Sequence, residues 1–140
     1  MKRFLVLVVT ALCSVWLPAA ELVTSDENSD GVVDRWYSME GLVILEYTAD
    51  RDFDGAVDHR MLYDQEGLPT YEELDFNLDG AMDDFYFYTN GALNRREIDS
   101  NYDSKTDIWV YLCEGVYVEK IEQDTDYDGE IDRITAYGEK

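Results

Sequence analysis

The sequence predicts an all-β fold: tandem β-hairpin repeats of 24–25 residues forming an antiparallel meander, with Asp-rich loops along one edge. Three observations carry that expectation. An Asp-rich loop recurs five times, at spacings of 24, 25, 24 and 25 residues, which marks a repeat architecture. Between the loops lie short runs rich in Val, Ile, Tyr, Phe and Trp, bounded by Gly, Asn and Asp, the composition of strands. No stretch carries a helical period of useful length.

The elements follow in order. Lys2 and Arg3 precede an apolar run over 4–17, broken only by Thr10 and Ser14, and then Pro18-Ala19-Ala20. A charged start, a short apolar core and a small-residue end read as a signal peptide over residues 1–20. The run is short for a membrane span. Residues 21–140 are then a single repeat domain, exported to the periplasm, the cell surface or the medium. Cys13 raises the alternative of a lipid anchor, against which stands Leu12, where such a signal wants a small residue. With Cys13 removed, Cys113 is the one thiol left, so an intrachain disulfide is not expected.

The loops are DENSDGVVD (26–34), DRDFDGAVD (50–58), DFNLDGAMD (75–83), DSNYDSKTD (99–107) and DTDYDGEID (124–132). Each is followed by an aromatic run: Arg35-Trp36-Tyr37, Met61-Leu62-Tyr63, Phe85-Tyr86-Phe87-Tyr88, Ile108-Trp109-Val110-Tyr111 and Ile134-Thr135-Ala136-Tyr137. A glycine follows each run, at Gly41, Gly67, Gly91, Gly115 and Gly138, and return runs occupy 42–47, 68–74, 92–98 and 116–122. Each unit thus reads as strand, Gly turn, strand, Asp loop, about nine strands in all. Asn90-Gly91 suits a tight hairpin turn, because both residues tolerate positive φ. Pro69 cannot donate to a sheet, so its strand is expected at an edge or beginning late. A lone hairpin is marginal in water, so the units must pair or stack. Whether the sheet curls or closes is not set by the pattern. Apolar residues of both parities, as in 85–88, point to a sheet half-covered on both faces or to an aromatic surface.

The loops carry the chemistry. Positions one, three and five place oxygen donors at alternate residues: Asp26, Asn28, Asp30; Asp50, Asp52, Asp54; Asp75, Asn77, Asp79; Asp99, Asn101, Asp103; Asp124, Asp126, Asp128. Position six turns sharply and favours Gly, as at Gly31, Gly55, Gly80 and Gly129. Position eight is mostly apolar (Val33, Val57, Met82, Ile131) and is expected to anchor the loop to the core. Position nine returns a carboxylate: Asp34, Asp58, Asp83, Asp107, Asp132. A wound loop of hard oxygen donors suits Ca2+, which takes six to eight oxygens at about 2.3–2.6 Å. The absence of His and Cys from the loops disfavours softer metals. The second and fifth loops, with four Asp at ligand positions, are expected to bind best. The fourth, with Ser104 in place of Gly and Lys105 beside it, is expected to be weak or empty.

The D-x-[DN]-x-D-[GS]-x-x-D loop resembles the D-x-D-x-D-G class of calcium sites. It departs from the EF-hand, which has Glu at position twelve between helices; here that position holds Tyr37, Met61, Tyr86, Val110 and Thr135. The Asp at position nine is similar to the calcium hairpin loops of integrin-type propeller repeats and thrombospondin type 3 repeats, whose repeat lengths differ. The whole pattern over 26–138 resembles tandem Asp-rich repeats of exported bacterial proteins. What that resemblance implies is calcium bound at the loops.

Composition bounds the partners. Asp plus Glu number 32 against 11 Lys plus Arg, a formal charge of −21, which argues against nucleic acid or an anionic membrane. At 46% hydrophobic and 14% aromatic, the chain is too apolar for a disordered acidic tail. The expected function is therefore a non-enzymatic, calcium-stabilised scaffold that engages a protein or a glycan. Two alternatives stand beside it: a metal-independent acidic scaffold that binds a basic protein, and an acidic hydrolase, which needs two close carboxylates of split pKa in one pocket. The bland account of the loops is that Asp, Asn and Gly are ordinary turn residues. It does not require Asp at position nine in every copy. His59 reads as an exposed strand residue and Cys113 as an incidental thiol at a turn. Glu46, Glu72, Glu73, Glu97, Glu119 and Glu122 read as solvated faces, and Trp36 or Trp109 as side chains able to stack on a sugar.

Overall fold

The computed structural model describes residues 20–138. Residues 1–19 of the expected signal peptide, with Cys13, lie outside the described residues. Ten strands follow one another: β1 (Glu21–Ser25), β2 (Arg35–Glu40), β3 (Val43–Ala49), β4 (His59–Tyr63), β5 (Pro69–Leu74), β6 (Asp84–Thr89), β7 (Ala92–Ile98), β8 (Ile108–Cys113), β9 (Tyr117–Gln123) and β10 (Arg133–Ala136). They form one antiparallel sheet in strict sequence order, open at β1 and β10. The meander is as expected, with one strand more than the loop-to-loop pattern suggested. That strand, β1, is a return strand ahead of the first loop, with no preceding aromatic run to flag it.

Gly turns join the strands at one edge and Asp loops at the other. At Asn90-Gly91 both residues have positive φ, 50° and 76°, the backbone of a type I′ hairpin. At Gly115 (φ 72°) a Cβ would lie 3.2 Å from the Ala92 Cβ of the preceding hairpin, so conformation and space both select Gly. Pro69 opens β5 opposite Tyr63; the strand begins late and is not an edge. Each Gly-turn hairpin carries a bulge at the same place, between Ser38 and Met39, Leu62 and Tyr63, Phe87 and Tyr88, and Tyr111 and Leu112. An extra residue on the return strand increases local twist, so the same local distortion recurs in every Gly-turn hairpin.

The sheet is a single layer: strand contacts run between sequence neighbours. The consequence is a small apolar interior. Among the described residues, Ala49 is the one buried hydrophobic residue, while the fully buried large side chains are Asp34, Asp58, Asp75 and Asp83. The aromatics lie half-buried in cross-strand rows on both faces. One face holds Tyr37, Tyr47, Met61, Glu72, Tyr86 and Arg96 in register, the other Tyr71, Phe87, Arg95, Tyr111 and Lys120. Ring pairs close these rows: Tyr37 with Tyr47 at 5.1 Å and Tyr71 with Phe87 at 5.3 Å between centroids. Cations cap others, Arg95 over Phe87 and Lys120 over Tyr111, both at 4.1 Å. Each such contact contributes roughly 0.5–1.5 kcal/mol beyond burial.

Of the glutamates expected to be solvated, Glu119 is exposed, but Glu46, Glu72, Glu73, Glu97 and Glu122 are half-buried. Glu72 accepts from the Tyr88 hydroxyl at 2.8 Å and contacts His59 Nε2 at 2.9 Å, and Glu73 accepts from Tyr71 at 2.7 Å. His59 is correspondingly half-buried, edge-on to Tyr47. Arg96 pairs with buried Asp84, which also accepts from the Tyr86 hydroxyl at 3.0 Å. Burial, then the Asp84 charge, push the Tyr86 hydroxyl up to about 12, and burial likewise raises Tyr71 and Tyr88. Since the folded state holds these protons more tightly, their stabilisation is intact below pH 10.0, the ordinary tyrosine value, and is lost as pH rises toward 12. Alkaline titration should therefore show tyrosinate absorbance rising together with loss of sheet dichroism, with Tyr86→Phe moving the transition. Tyrosinate appearing well before any loss of structure would contradict the buried rows.

Candidate metal centres

Each loop is closed by two carboxylates that accept backbone N–H groups. At position nine, Oδ2 of Asp34, Asp83, Asp107 and Asp132 accepts from Glu27 (2.7 Å), Phe76 (2.9 Å), Ser100 (2.8 Å) and Thr125 (2.9 Å). Asp58 accepts likewise from Arg51 and from Asp52. At position one, Oδ2 of Asp26, Asp50, Asp75, Asp99 and Asp124 accepts from residue six at 2.6–2.8 Å. In the first four loops Oδ1 also accepts from residue four at 2.6–2.7 Å. In those four loops the Asx bonds hold residue four in the left-handed region although it is never Gly: Ser29, Phe53, Leu78 and Tyr102 have φ of 63–67°, and Tyr127 of loop five takes the same conformation, φ 62°, without that bond. Such a conformation costs of order 1–3 kcal/mol per residue, so the carboxylates offset strain as well as satisfy donors. Only the need for turn chemistry was legible in the sequence; nothing in side chains as different as Ser, Phe and Tyr marks position four.

The remaining donors differ between loops. In loops one, three and four, the amide of Asn28, Asn77 or Asn101 donates to Oδ2 of Asp30, Asp79 or Asp103 at 2.9–3.2 Å. Loops two and five have Asp52 and Asp126 at that position, and no amide proton stands between the carboxylates. Asp126 is raised above the ordinary aspartate value, chiefly by the adjacent Asp128 charge. Asp52 is raised by partial desolvation and then by Asp54, Asp58 and Asp50. By contrast, hydrogen bonds from the Thr125 hydroxyl and backbone lower Asp132.

Carboxylate oxygens converge to within 4.8 Å of one another in three loops: Asp50, Asp52 and Asp58; Asp99, Asp103 and Asp107; Asp124, Asp126 and Asp132. Asp54 and Asp128, expected in the second and fifth sets, each bond instead to the N–H of residue seven, at 2.7 and 2.9 Å. Loops one and three, with Asp26, Asn28, Asp30, Asp34 and Asp75, Asn77, Asp79, Asp83, share the fold of the others but form no such triple among the described residues. In loop five, Oδ1 of Asp124 is buried and has no hydrogen-bond partner. Loop four makes the same turn as its neighbours: Ser104 takes φ 67° and its N–H reaches Asp99 at 2.6 Å. The Gly-to-Ser change is absorbed locally. Position eight, expected to anchor the loop, is half-buried at Val33 and Met82 but exposed at Val57 and Ile131; the buried carboxylates are the anchor common to the loops.

No protein-family model and no curated protein matches the chain. It is similar in fold to a chain in the solved structure of accessory secretory proteins 1, 2 and 3 from Streptococcus pneumoniae. The identity is 12% and the TM-score 0.51, over 80% of this chain and 20% of that one. This chain thus spans about a fifth of that chain's length, and the likeness is one of fold alone.

Two aspartates of one loop should separate the structural from the ligand role. In the presence of chelator, Asp58→Ala should destabilise by about 2–4 kcal/mol, because two loop N–H groups lose their acceptor. Asp52→Ala should leave stability unchanged or raise it, since it removes a carboxylate repelled by its neighbours. Denaturant unfolding of both variants checks this; equal losses would show no division of labour.

Proposed function

We propose that this chain is an exported, non-enzymatic, calcium-binding repeat protein whose ions stabilise a β scaffold for a protein or glycan partner. The observation that carries this reading is loop five, where Asp124, whose buried Oδ1 has no hydrogen-bond partner, belongs to a triple of converging carboxylates, and Asp126 is raised above its ordinary value chiefly by Asp128. A divalent cation would supply the positive charge that this set lacks, and hard oxygen donors suit Ca2+. Loop two, with Asp50, Asp52 and Asp58, is the second site, and Asp99, Asp103 and Asp107 of loop four the third. Stabilisation follows from mass action, because ions bind folded loops better than unfolded ones. Among the described residues, no helix is long and apolar enough to cross a membrane. The half-buried Trp36 and Trp109 lie in one cross-strand row, where Glu97 and Glu122 flank Trp109, and offer a partner an aromatic surface edged by carboxylates.

A second reading is a metal-independent acidic scaffold for a basic protein. It draws on loops one and three, where an Asn amide already donates a hydrogen bond to the position-five carboxylate. Titration calorimetry separates the two. Calcium should evolve or absorb heat with saturation at two or three ions, and Asp126→Ala should remove one. Absence of any calcium heat, with salt-sensitive binding of a basic protein, would favour the second reading.

The pH response should reverse with the ion. Without calcium, Asp52 and Asp126, whose folded pKa values are raised, disfavour the folded state when ionised. Stability should therefore rise as pH falls from neutral through their raised folded values toward 3.8, the ordinary aspartate value, relieving repulsion. The lowered Asp132 opposes this only below 3.8, its ordinary value. With saturating calcium, protons compete with the ion and stability should fall over the same range. Melting temperatures in both conditions test the sign.

A further inference from the structure

The two edges of the sheet are complementary halves of one junction, and the loop edge shows it most clearly. A chain of backbone hydrogen bonds links successive loops: the first Asp of each donates to the last Asp of the loop before it. Asp50 donates to Asp34, Asp75 to Asp58, Asp99 to Asp83 and Asp124 to Asp107, each at 2.8 Å. Among the described residues, the series ends on an unused N–H at Asp26 and an unused carbonyl at Asp132. Burial follows the same rule. The first Asp is buried at Asp50, Asp75, Asp99 and Asp124 but exposed at Asp26. The last is buried at Asp34, Asp58, Asp83 and Asp107 but exposed at Asp132. A neighbouring loop is what buries these carboxylates, and the two exposed ones each lack a neighbour on opposite sides.

The strands agree. Tyr137 donates inward to Glu119 at 2.8 Å, so the two-residue alternation of an antiparallel pair turns the N–H and C=O of Ile134 and Ala136 outward. On β1, Ser25 accepts from Asp34, and alternation turns Thr24 and Leu22 outward. Of the usual devices against strand addition, both strands are short, five and four residues, and each begins with a charged residue, Glu21 and Arg133, but neither carries Lys, Pro or a bulge, and Leu22, Val23 and Ile134 are exposed apolar residues on them.

We propose that β10 of one copy pairs antiparallel with β1 of a second copy, head to tail, continuing the meander across the junction. The internal registers Arg35↔Ala49 and Trp36↔Thr48 set the pairing: Arg133 opposite Ser25, Ile134 opposite Thr24, Thr135 opposite Val23, Ala136 opposite Leu22. Asp26 N–H then donates to the Asp132 carbonyl, and both carboxylates become buried like their equivalents. The charges fit as well. Arg133 occupies the position of Arg35, which lies beside Asp50 and Arg51 of the next loop; in a second copy the place of Arg51 is held by Glu27, which pairs with Arg35 of its own copy at 3.4 Å and would be shared with Arg133. Such a contact is heterologous, so it propagates rather than closing as a two-fold dimer. It does not depend on the calcium reading, since the internal junctions it copies are the same in every loop.

Sedimentation velocity of the purified protein over a wide concentration range, at about 0.15 M salt to screen like charges, tests this. The mean mass should rise with concentration. Thr24→Pro and Ile134→Pro each remove an outward N–H, and each variant alone should remain monomeric. Mixed, they should form dimers through their one intact edge each, and nothing larger. Circular dichroism checks that both fold. Should either fail to fold, Arg133→Glu serves instead, weakening association about tenfold (equivalent to about 1.4 kcal/mol), with Glu27→Lys in the mixed partner restoring it. Three results would overturn the proposal: a monomer at every concentration, which would leave the edges to a strand of another protein; association indifferent to these substitutions; or loss with Thr24→Pro but not with Ile134→Pro, the mark of like edges pairing.

Discussion

The structure depends on one interaction, the acceptance of loop N–H groups by the first and last aspartates of each loop. In a single-layer sheet no hydrophobic core is thick enough to position the connections. The side chains that are fully buried are carboxylates, Asp34, Asp58, Asp75 and Asp83, and each is satisfied by backbone donors. A buried carboxylate without donors would cost several kcal/mol; with two or more charge-assisted bonds it becomes a clamp. The clamp sets the loop at nine residues, holds residue four in a strained conformation and stacks each loop on the last through Asp-to-Asp backbone bonds. The repeat length of 24–25 residues then follows from two short strands, a Gly turn and that loop.

Because the same aspartates hold the backbone, they cannot all be free ligands. Two of the four acidic positions are committed in large part to structure, and the difference between loops falls on position three. Asn28, Asn77 and Asn101 bring a proton to the neighbouring carboxylate; Asp52 and Asp126 bring another negative charge. A single functional-group change thus divides loops that share one backbone into electrostatically relaxed and electrostatically tense forms. Loop five is a tense form, and among the described residues no further loop covers its exposed Asp132.

Legibility was uneven, for physical reasons. The Gly turns, the late start at Pro69 and the positive φ at Asn90 and Gly91 were readable because few residues tolerate those backbones. The bulges at Leu45, Thr70, Asn94 and Glu119 were not, since a bulge inserts a residue of no special type. Nor was the half-burial of His59, Glu72 and Glu73. Their rows contain tyrosines whose hydroxyls need acceptors, and only the cross-strand register tells which glutamate meets which hydroxyl. Position eight misled because an apolar residue beside a loop usually packs inward; with no second layer there is little interior to enter.

The sequence by itself determined the all-β class, the number and place of the loops, and the strand-turn-strand unit, because these rest on local preferences repeated five times. Tertiary structure decided that the sheet stays open and one layer thick, that β1 completes it, and which loop oxygens converge. Those outcomes depend on register and on what lies beside each loop, and a repeat with the same letters in every copy gives its end copies different neighbours from its middle ones.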